Sequence, residues 1–145
     1  MQPLELERFV AAWERLGRAT RRAQGRANQA GSSKLSHAQY LLVEVLLDGQ
    51  ARAVSQLAEA AGVTQPTATR TLAGLQRDGV LRRRGDSDDR RVVRMELTPD
   101  GLALVAEKRA QIMSVRHQIF ASIPEPQRAH AAQLLDILAA AVEQL

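Results

Sequence analysis

The stretch that decides the fold spans residues 55–98 and is SQLAEAAGVTQPTATRTLAGLQRDGVLRRRGDSDDRRVVRMELT. Its first half predicts two short helices joined at Gly62, because small and apolar residues recur at helical spacing on both sides of that glycine. Its second half predicts a β-hairpin, because Val93, Met95 and Leu97 alternate with charged residues after a polar turn. The order is that of a helix-turn-helix followed by a hairpin.

Local capping signals set the predicted limits of these elements. Ser and Thr hydroxyls accept hydrogen bonds from the first turn of a helix, and Gln39 stands three residues after Ser36 as a capping-box partner. Glycine ends helices because it adopts the left-handed conformation without strain. The predicted elements are a helix capped by Ser36 that ends at Asp48-Gly49, a helix at Gln56–Ala61 after Ser55, a helix capped by Thr64 that runs to about Asp78, and strands at 80–84 and 92–97.

Long amphipathic helices are predicted on both sides of this segment. One runs from Pro3 to about Gln29, and two follow Thr98, separated by Pro124-Glu125-Pro126. Their apolar stripes are too wide for so short a chain to cover, so we expect two copies to pair through them. The predicted fold class is mainly α with a small β-wing, a winged helix-turn-helix domain flanked by long dimerisation helices. The predicted domains are an N-terminal dimerisation helix at 1–34, the winged helix-turn-helix domain at 35–98, and C-terminal dimerisation helices at 99–145.

The composition narrows the function classes. The net charge is +4 at pH 7, and lysine occurs only at 34 and 108, so nearly all the positive charge is arginine. Arginine binds phosphates and guanine edges in a fork, which favours nucleic acid, although genomic base composition can produce the same excess. The absence of cysteine excludes disulfides and thiol chemistry. With no apolar run of about 20 residues and no signal-peptide pattern, we expect a soluble, cytoplasmic protein with no membrane partner.

Positive charge is concentrated in the central segment. Residues 64–94 hold eight arginines and four aspartates, which gives them the same net charge as the whole chain. If the second helix of the pair lies in the major groove, its N-terminal residues meet base edges, where Gln reads adenine and Thr or Ala methyl groups contact thymine. The threonines equally suit capping, and the hairpin equally suits weak surface ion pairs. The predicted recognition-helix residues are Thr64, Gln65, Thr67, Ala68, Thr69 and Arg70.

Three motifs resemble the MarR family of transcription regulators. They are Leu35-Ser36-His37-Ala38-Gln39-Tyr40, Thr69-Arg70, and the run from Gly79-Val80-Leu81-Arg82-Arg83 through Asp86-Ser87-Asp88-Asp89-Arg90-Arg91 to Leu97-Thr98-Pro99-Asp100-Gly101. The resemblance covers essentially the whole chain. It implies a homodimer that binds double-stranded DNA at a pseudo-palindromic operator, acts as a repressor, and is released by a small anionic, commonly phenolic, effector. It also implies that Arg90 is the wing-tip residue, with Asp88 as its support and Arg91 as a second candidate.

The resemblance leaves several points open. It places the effector pocket near Trp13, Arg18, His37 and Tyr40, although Trp13 and Tyr40 equally suit a core. Pro66 is unusual in the recognition helix and puts the docking of its first turn in doubt.

The three histidines lack metal-ligand spacing, and no nucleophile elbow or phosphate loop is present. We therefore expect no metal site, no cofactor and no enzymatic activity. The alternatives are a winged-helix module for protein–protein interaction and a metal-responsive regulator.

Overall fold

A computed structural model describes residues 3–29, 34–85 and 91–145 of the chain. It confirms the predicted fold class, because the described elements are mostly helices accompanied by one small antiparallel sheet. The chain divides into two compact units, Met1–Lys108 and Arg109–Leu145, with the helix α5 continuing through both. The elements are α1 (Pro3–Gln29), α2 (His37–Val43), a 3-10 helix (Glu44–Asp48), β1 (Arg52–Ala53), α3 (Val54–Ala61), α4 (Gln65–Arg77), β2 (Leu81–Gly85), β3 (Val93–Leu97), α5 (Pro99–Ser122), a 3-10 helix (Glu125–Gln127) and α6 (Arg128–Glu143).

The core of the first unit is built by the short central elements. Helix α3 packs on α2 and α4, and α4 packs on β2. The buried faces of α3 and α4 carry alanine beside leucine, so the two helices can approach each other closely. The buried apolar residues of these elements are Tyr40, Leu42, Val43 and Leu46 from α2 and the 3-10 helix, Leu57 and Ala58 from α3, Ala68, Leu72 and Leu75 from α4, and Leu81 and Met95 from the strands.

The sheet has three strands in the order β1-β3-β2, and each pair is antiparallel. The pairing of Leu81 with Leu97 fixes the hairpin register, and that of Arg52 with Met95 adds β1 to the other side of β3. The sequence does not predict β1, because two residues are too short to show alternation. Strand β2 begins one residue later than predicted, since the backbone N–H of Val80 still donates to the carbonyl of Leu75 and closes α4.

The capping predictions differ in outcome. The capping box is confirmed, with Gln39 N–H donating to Ser36 Oγ at 3.1 Å and Ser36 N–H donating to Gln39 Oε1 at 2.9 Å. The start of α3 at Ser55 is wrong, because the helix begins at Val54 after Ala53. There the side chain of Gln56 accepts from Ala53 N–H at 2.9 Å, which satisfies the backbone without a hydroxyl cap.

Helix α5 begins directly against the turn that follows α4. Thr98 Oγ1 donates to the carbonyl of Gly79 at 2.5 Å and accepts from Gly101 N–H at 3.0 Å. A Cβ at Gly101 would collide with the backbone carbonyl of Val80. The glycine is therefore required by the close approach of two backbones, and the predicted Thr98 cap also ties the start of α5 to the preceding turn.

The long helices present apolar side chains to solvent. Trp13 of α1 is 47% exposed, and Leu135 of α6 is 61% exposed. No helix in the described ranges has the length and hydropathy that a membrane span requires. Other large apolar residues exposed on these elements are Leu4, Leu6, Phe9, Val10 and Leu16 on α1, Leu102, Met113, Val115, Ile119 and Phe120 on α5, and Leu134, Ile137 and Val142 on α6.

Candidate nucleic-acid interface

Helix α4 has one buried face and one outward face. Leu72 and Leu75 lie in the core. With 3.6 residues per turn, the line farthest from them passes through positions 66, 70, 73 and 77. The residues there are Pro66, Arg70, Ala73 and Arg77, and all four are exposed. We call this line the outer stripe of α4.

The start of α4 is fixed by threonine hydrogen bonds. Thr67 N–H donates to Thr64 Oγ1 at 3.4 Å, and the Thr64 hydroxyl donates to Thr67 Oγ1 at 2.9 Å. The Thr69 hydroxyl donates to the carbonyl of Gln65 at 2.9 Å. These hydroxyls serve the helix itself, and Thr64, Gln65, Thr67 and Thr69 are exposed as whole residues.

The structure corrects the predicted recognition set at one residue. Ala68 is 0% exposed and lies on the buried face with Leu72. The prediction that Ala68 contacts DNA is therefore wrong, because a duplex approaching the outer stripe meets the opposite side of the helix. The other five members of the set, Thr64, Gln65, Thr67, Thr69 and Arg70, are exposed.

The hairpin carries arginine on both faces of its strands. Glu96 of β3 accepts from Arg82 Nε at 2.7 Å and from Arg84 Nη1 at 3.4 Å. The hydrogen bond from Arg82, followed by the charges of both arginines, lowers the pKa of Glu96 below its usual value. One carboxylate thus partly neutralises two of the wing arginines.

Arg83 lies between these two residues in sequence and has a different partner. Side chains alternate along a strand, so Arg83 shares a face with Met95, its partner in β3. Arg83 Nε donates to Gln76 Oε1 of α4 at 3.3 Å. Next to this contact, a shallow groove is lined by Arg70, Ala73, Gln76 and Arg77.

The predicted wing-tip residues are only partly covered by the structure. Asp88 and Arg90 lie outside the described residues. Arg91 is described, is exposed and lies two residues before the start of β3. The roles of all three residues stay predictions.

The residues predicted for an effector pocket have different surroundings. The His37 and Tyr40 rings stack with centroids 6.4 Å apart, and Tyr40 is 3% exposed, as a core residue would be. Trp13 stacks on Phe9 at 6.1 Å, and Arg18 Nη1 donates to Glu14 Oε2 at 3.3 Å, so these contacts lie within α1. The structure brings His37 and Tyr40 together, and the pocket itself stays a prediction.

A carboxylate–guanidinium pair also supports the sheet below the wing. Both terminal nitrogens of Arg52 bind Asp48, at 2.5 and 2.8 Å, and Arg52 Nη1 also donates to the carbonyl of Val45 at 2.7 Å. The Arg52 hydrogen bond, followed by one from the backbone N–H of Gln50, lowers the pKa of Asp48 to about 2. Because Arg52 pairs with Met95 in the sheet, this contact ties the end of the 3-10 helix to the wing.

Sequence reasoning did not single out Gln76, Arg77 or Arg83. The helical phase set by Leu72 and Leu75 could have placed Arg77 in line with Arg70. The Gln76–Arg83 contact joins a helix to a strand, so no local sequence pattern predicts it. Among the described residues, no group of three or more His, Cys, Asp or Glu side chains could hold a metal ion.

Comparison with known proteins identifies the family. The MarR family model matches residues 35–93. The transcriptional regulator PA3341 is 30% identical, with a TM-score of 0.69 over 94% of this chain and 99% of that one. BpsR of Bordetella bronchiseptica, whose DNA binding is regulated by 6-hydroxynicotinic acid, is 28% identical, with a TM-score of 0.71 over 87% of this chain and 91% of that one. FabT of Streptococcus pneumoniae, solved in complex with DNA, shares the fold at 23% identity, with a TM-score of 0.82 over 94% of this chain and 98% of that one. The chain belongs to the MarR family of winged helix-turn-helix transcription regulators.

Proposed function

We propose that this protein binds double-stranded DNA in a sequence-specific manner and represses transcription from a pseudo-palindromic operator. The observation that carries the proposal is the exposed face of α4, which has polar and arginine side chains and no acidic residue. Helices of this kind place their N-terminal residues against base edges in the major groove. Gln65 and Arg70 are the side chains best suited to base or phosphate contacts, with Arg90 of the hairpin entering the minor groove.

The proposed DNA-binding species is a homodimer. The exposed apolar side chains of α1, of the second half of α5 and of α6 form stripes that a monomer leaves in water. A second copy carries the same stripes, so one symmetric interface would cover both. Two recognition helices related by a two-fold axis would match the two halves of a palindrome. In this arrangement residues 1–34 and 99–145 serve dimerisation, and residues 35–98 serve DNA binding.

Release by a small anionic aromatic effector is the proposed mode of regulation. BpsR, whose DNA binding responds to 6-hydroxynicotinic acid, supports this class of ligand by its similarity. Arg18 and His37 would pair with a carboxylate or phenolate, and Trp13 would stack on the ring, while Tyr40 would support His37 from the core. An effector releases DNA only if it binds the DNA-free conformation more tightly than the DNA-bound one.

Selection of bound duplexes from a random pool tests this function. The expected result is an inverted repeat whose half-sites lie about 10 base pairs apart, or a multiple of that spacing. Affinity for the selected duplex is then measured over a salt series for the wild type and for Arg90→Ala. We expect Arg90→Ala to cost about 1–3 kcal/mol, equivalent to one good base contact.

Two results would contradict the proposal. A pool that shows no enriched sequence, together with salt-insensitive capture of a protein partner, would favour an interaction module. Recovery of operator binding only after addition of a metal would favour a metal-responsive regulator. Wild-type affinity of Arg90→Ala throughout the salt series would reject the role of the wing tip alone.

A further inference from the structure

The arginines of the first unit differ in whether a carboxylate neutralises them. Arg18 pairs with Glu14, Arg52 with Asp48, and both Arg82 and Arg84 with Glu96. Within the described ranges, the side chains of Arg70 and Arg77 form neither an ion pair nor a hydrogen bond. Arg70 and Arg77 on the outer stripe of α4 are therefore not neutralised by a carboxylate, as is also true of Arg15 and other arginines of α1. What distinguishes the outer stripe is that Arg83 lies beside it, held by a neutral amide.

We infer that Arg77 and Arg83 bind backbone phosphates of the operator, extending the contact of α4 with DNA beyond its N-terminal half. This inference rests on the proposed function. Arg77 is seven residues beyond Arg70 on the outer stripe, a distance of about 10.5 Å along the helix axis. Contacts at both positions would let α4 follow the duplex from a base edge to the sugar–phosphate backbone.

The geometry of Arg83 brings a third arginine to the same place. Its Nε is held by Gln76 Oε1 at 3.3 Å, and Gln76 lines the groove with Arg70 and Arg77. That hydrogen bond occupies Nε and leaves the two terminal nitrogens of the guanidinium for an acceptor. Gln76 is thus a positioning residue, because it fixes Arg83 beside the groove without cancelling its charge.

Phosphate is the ligand whose chemistry fits this groove best. The arginines present forked donors for anionic oxygens, and α4 contains no acidic side chain, although the exposed Asp78 follows Arg77 at its C-terminal end. The groove includes Arg70, which the proposed function places against bases or phosphates. A duplex bound at Arg70 supplies a regular row of phosphates along the groove. An acidic protein would have to displace the duplex to bind at the same residues.

The test measures how affinity for the selected operator depends on salt. A plot of log affinity against log salt has a negative slope. Each lost phosphate contact makes this slope less steep by about 0.9 per half-site. Arg77→Gln and Arg83→Gln should each reduce the steepness of this dependence by about that amount and weaken binding at physiological salt. The loss should be equal for operator and random duplexes, since phosphate contacts carry no sequence information. Arg77→Lys should keep the slope, because lysine preserves the charge.

A second pair of variants tests the role of Gln76. Gln76→Ala should make the slope less steep when Arg83 is present and leave it unchanged in the Arg83→Gln background. The exposed Arg15 of α1 provides the matched control, and Arg15→Gln should bind DNA with the wild-type slope. Wild-type slopes for both Arg77→Gln and Arg83→Gln would overturn the inference. The proposed function would still stand if the wild type selects an operator, whereas a wild type that binds no duplex would reject both.

Discussion

The central winged segment buries its large apolar side chains, whereas the long helices leave many of theirs exposed to solvent. Leu57, Leu72 and Val43 of the winged segment are 0–2% exposed, whereas Leu135 and Ile119 of the long helices are at least 60% exposed. Burial of a leucine stabilises a fold by about 1.5–3 kcal/mol, so the winged segment contains its own stabilisation. The exposed side chains of the long helices would gain the same stabilisation from a partner surface, and for this reason we propose that these helices serve dimerisation.

Matched substitutions of buried and exposed leucines test this comparison most strongly. Leu57→Ala should lower the free energy of unfolding by about 2–5 kcal/mol, because it opens a cavity in a fully buried site. In a monomer, Leu135→Ala should change it by less than about 0.5 kcal/mol. In the proposed dimer, Leu135→Ala should instead raise the dissociation constant of the dimer. Chemical denaturation and sedimentation equilibrium measure the two effects, and an unchanged dissociation constant would remove Leu135 from the interface.

A pair of glycine substitutions examines the point where α5 leaves the winged segment. Replacement of a helical glycine by alanine usually stabilises by about 0.5–1 kcal/mol. Gly74→Ala should do so, because the nearest atom to the new Cβ would be Arg77 Nη2 at 3.7 Å. Gly101→Ala should destabilise by about 1–3 kcal/mol, because its Cβ collides with the Val80 carbonyl and α5 must shift. Thermal unfolding measures both, and a stabilised Gly101→Ala variant would show that α5 is not held against this turn.

The smallest predicted effect concerns the ion pair that supports the sheet. Asp48 has a pKa lowered from 3.8 to about 2, so its charged form is favoured in the folded protein. Its contribution to stability is complete above about pH 5 and is lost as the pH falls toward about 2, because the carboxylate must then be protonated. Asp48→Asn should unfold at a lower temperature than the wild type at neutral pH. The two melting temperatures should converge in acid, and a constant difference across this range would assign the effect to packing.

The accuracy of the sequence predictions followed the range of the interactions involved. The Ser36–Gln39 capping box and the end of α4 at Asp78-Gly79 were predictable, because their donors and acceptors lie within a few residues. The α3 start was misplaced, because Ser55 offered a hydroxyl while the side chain of Gln56 satisfied the backbone instead. Ala68 was assigned to DNA although its helical phase with Leu72 already indicated the core.

What the sequence alone determined was the order of the elements other than β1, the family and the concentration of arginine in the central segment. Helical and strand periodicity, caps and turn glycines are local properties that a single chain displays directly. Only the tertiary structure decided which arginines are neutralised. Glu96 meets Arg82 across two strands, and Gln76 meets Arg83 between a helix and a strand. Such partners depend on strand register and helix packing, so the difference between the paired wing arginines and the outer stripe of α4 emerges only in the folded chain.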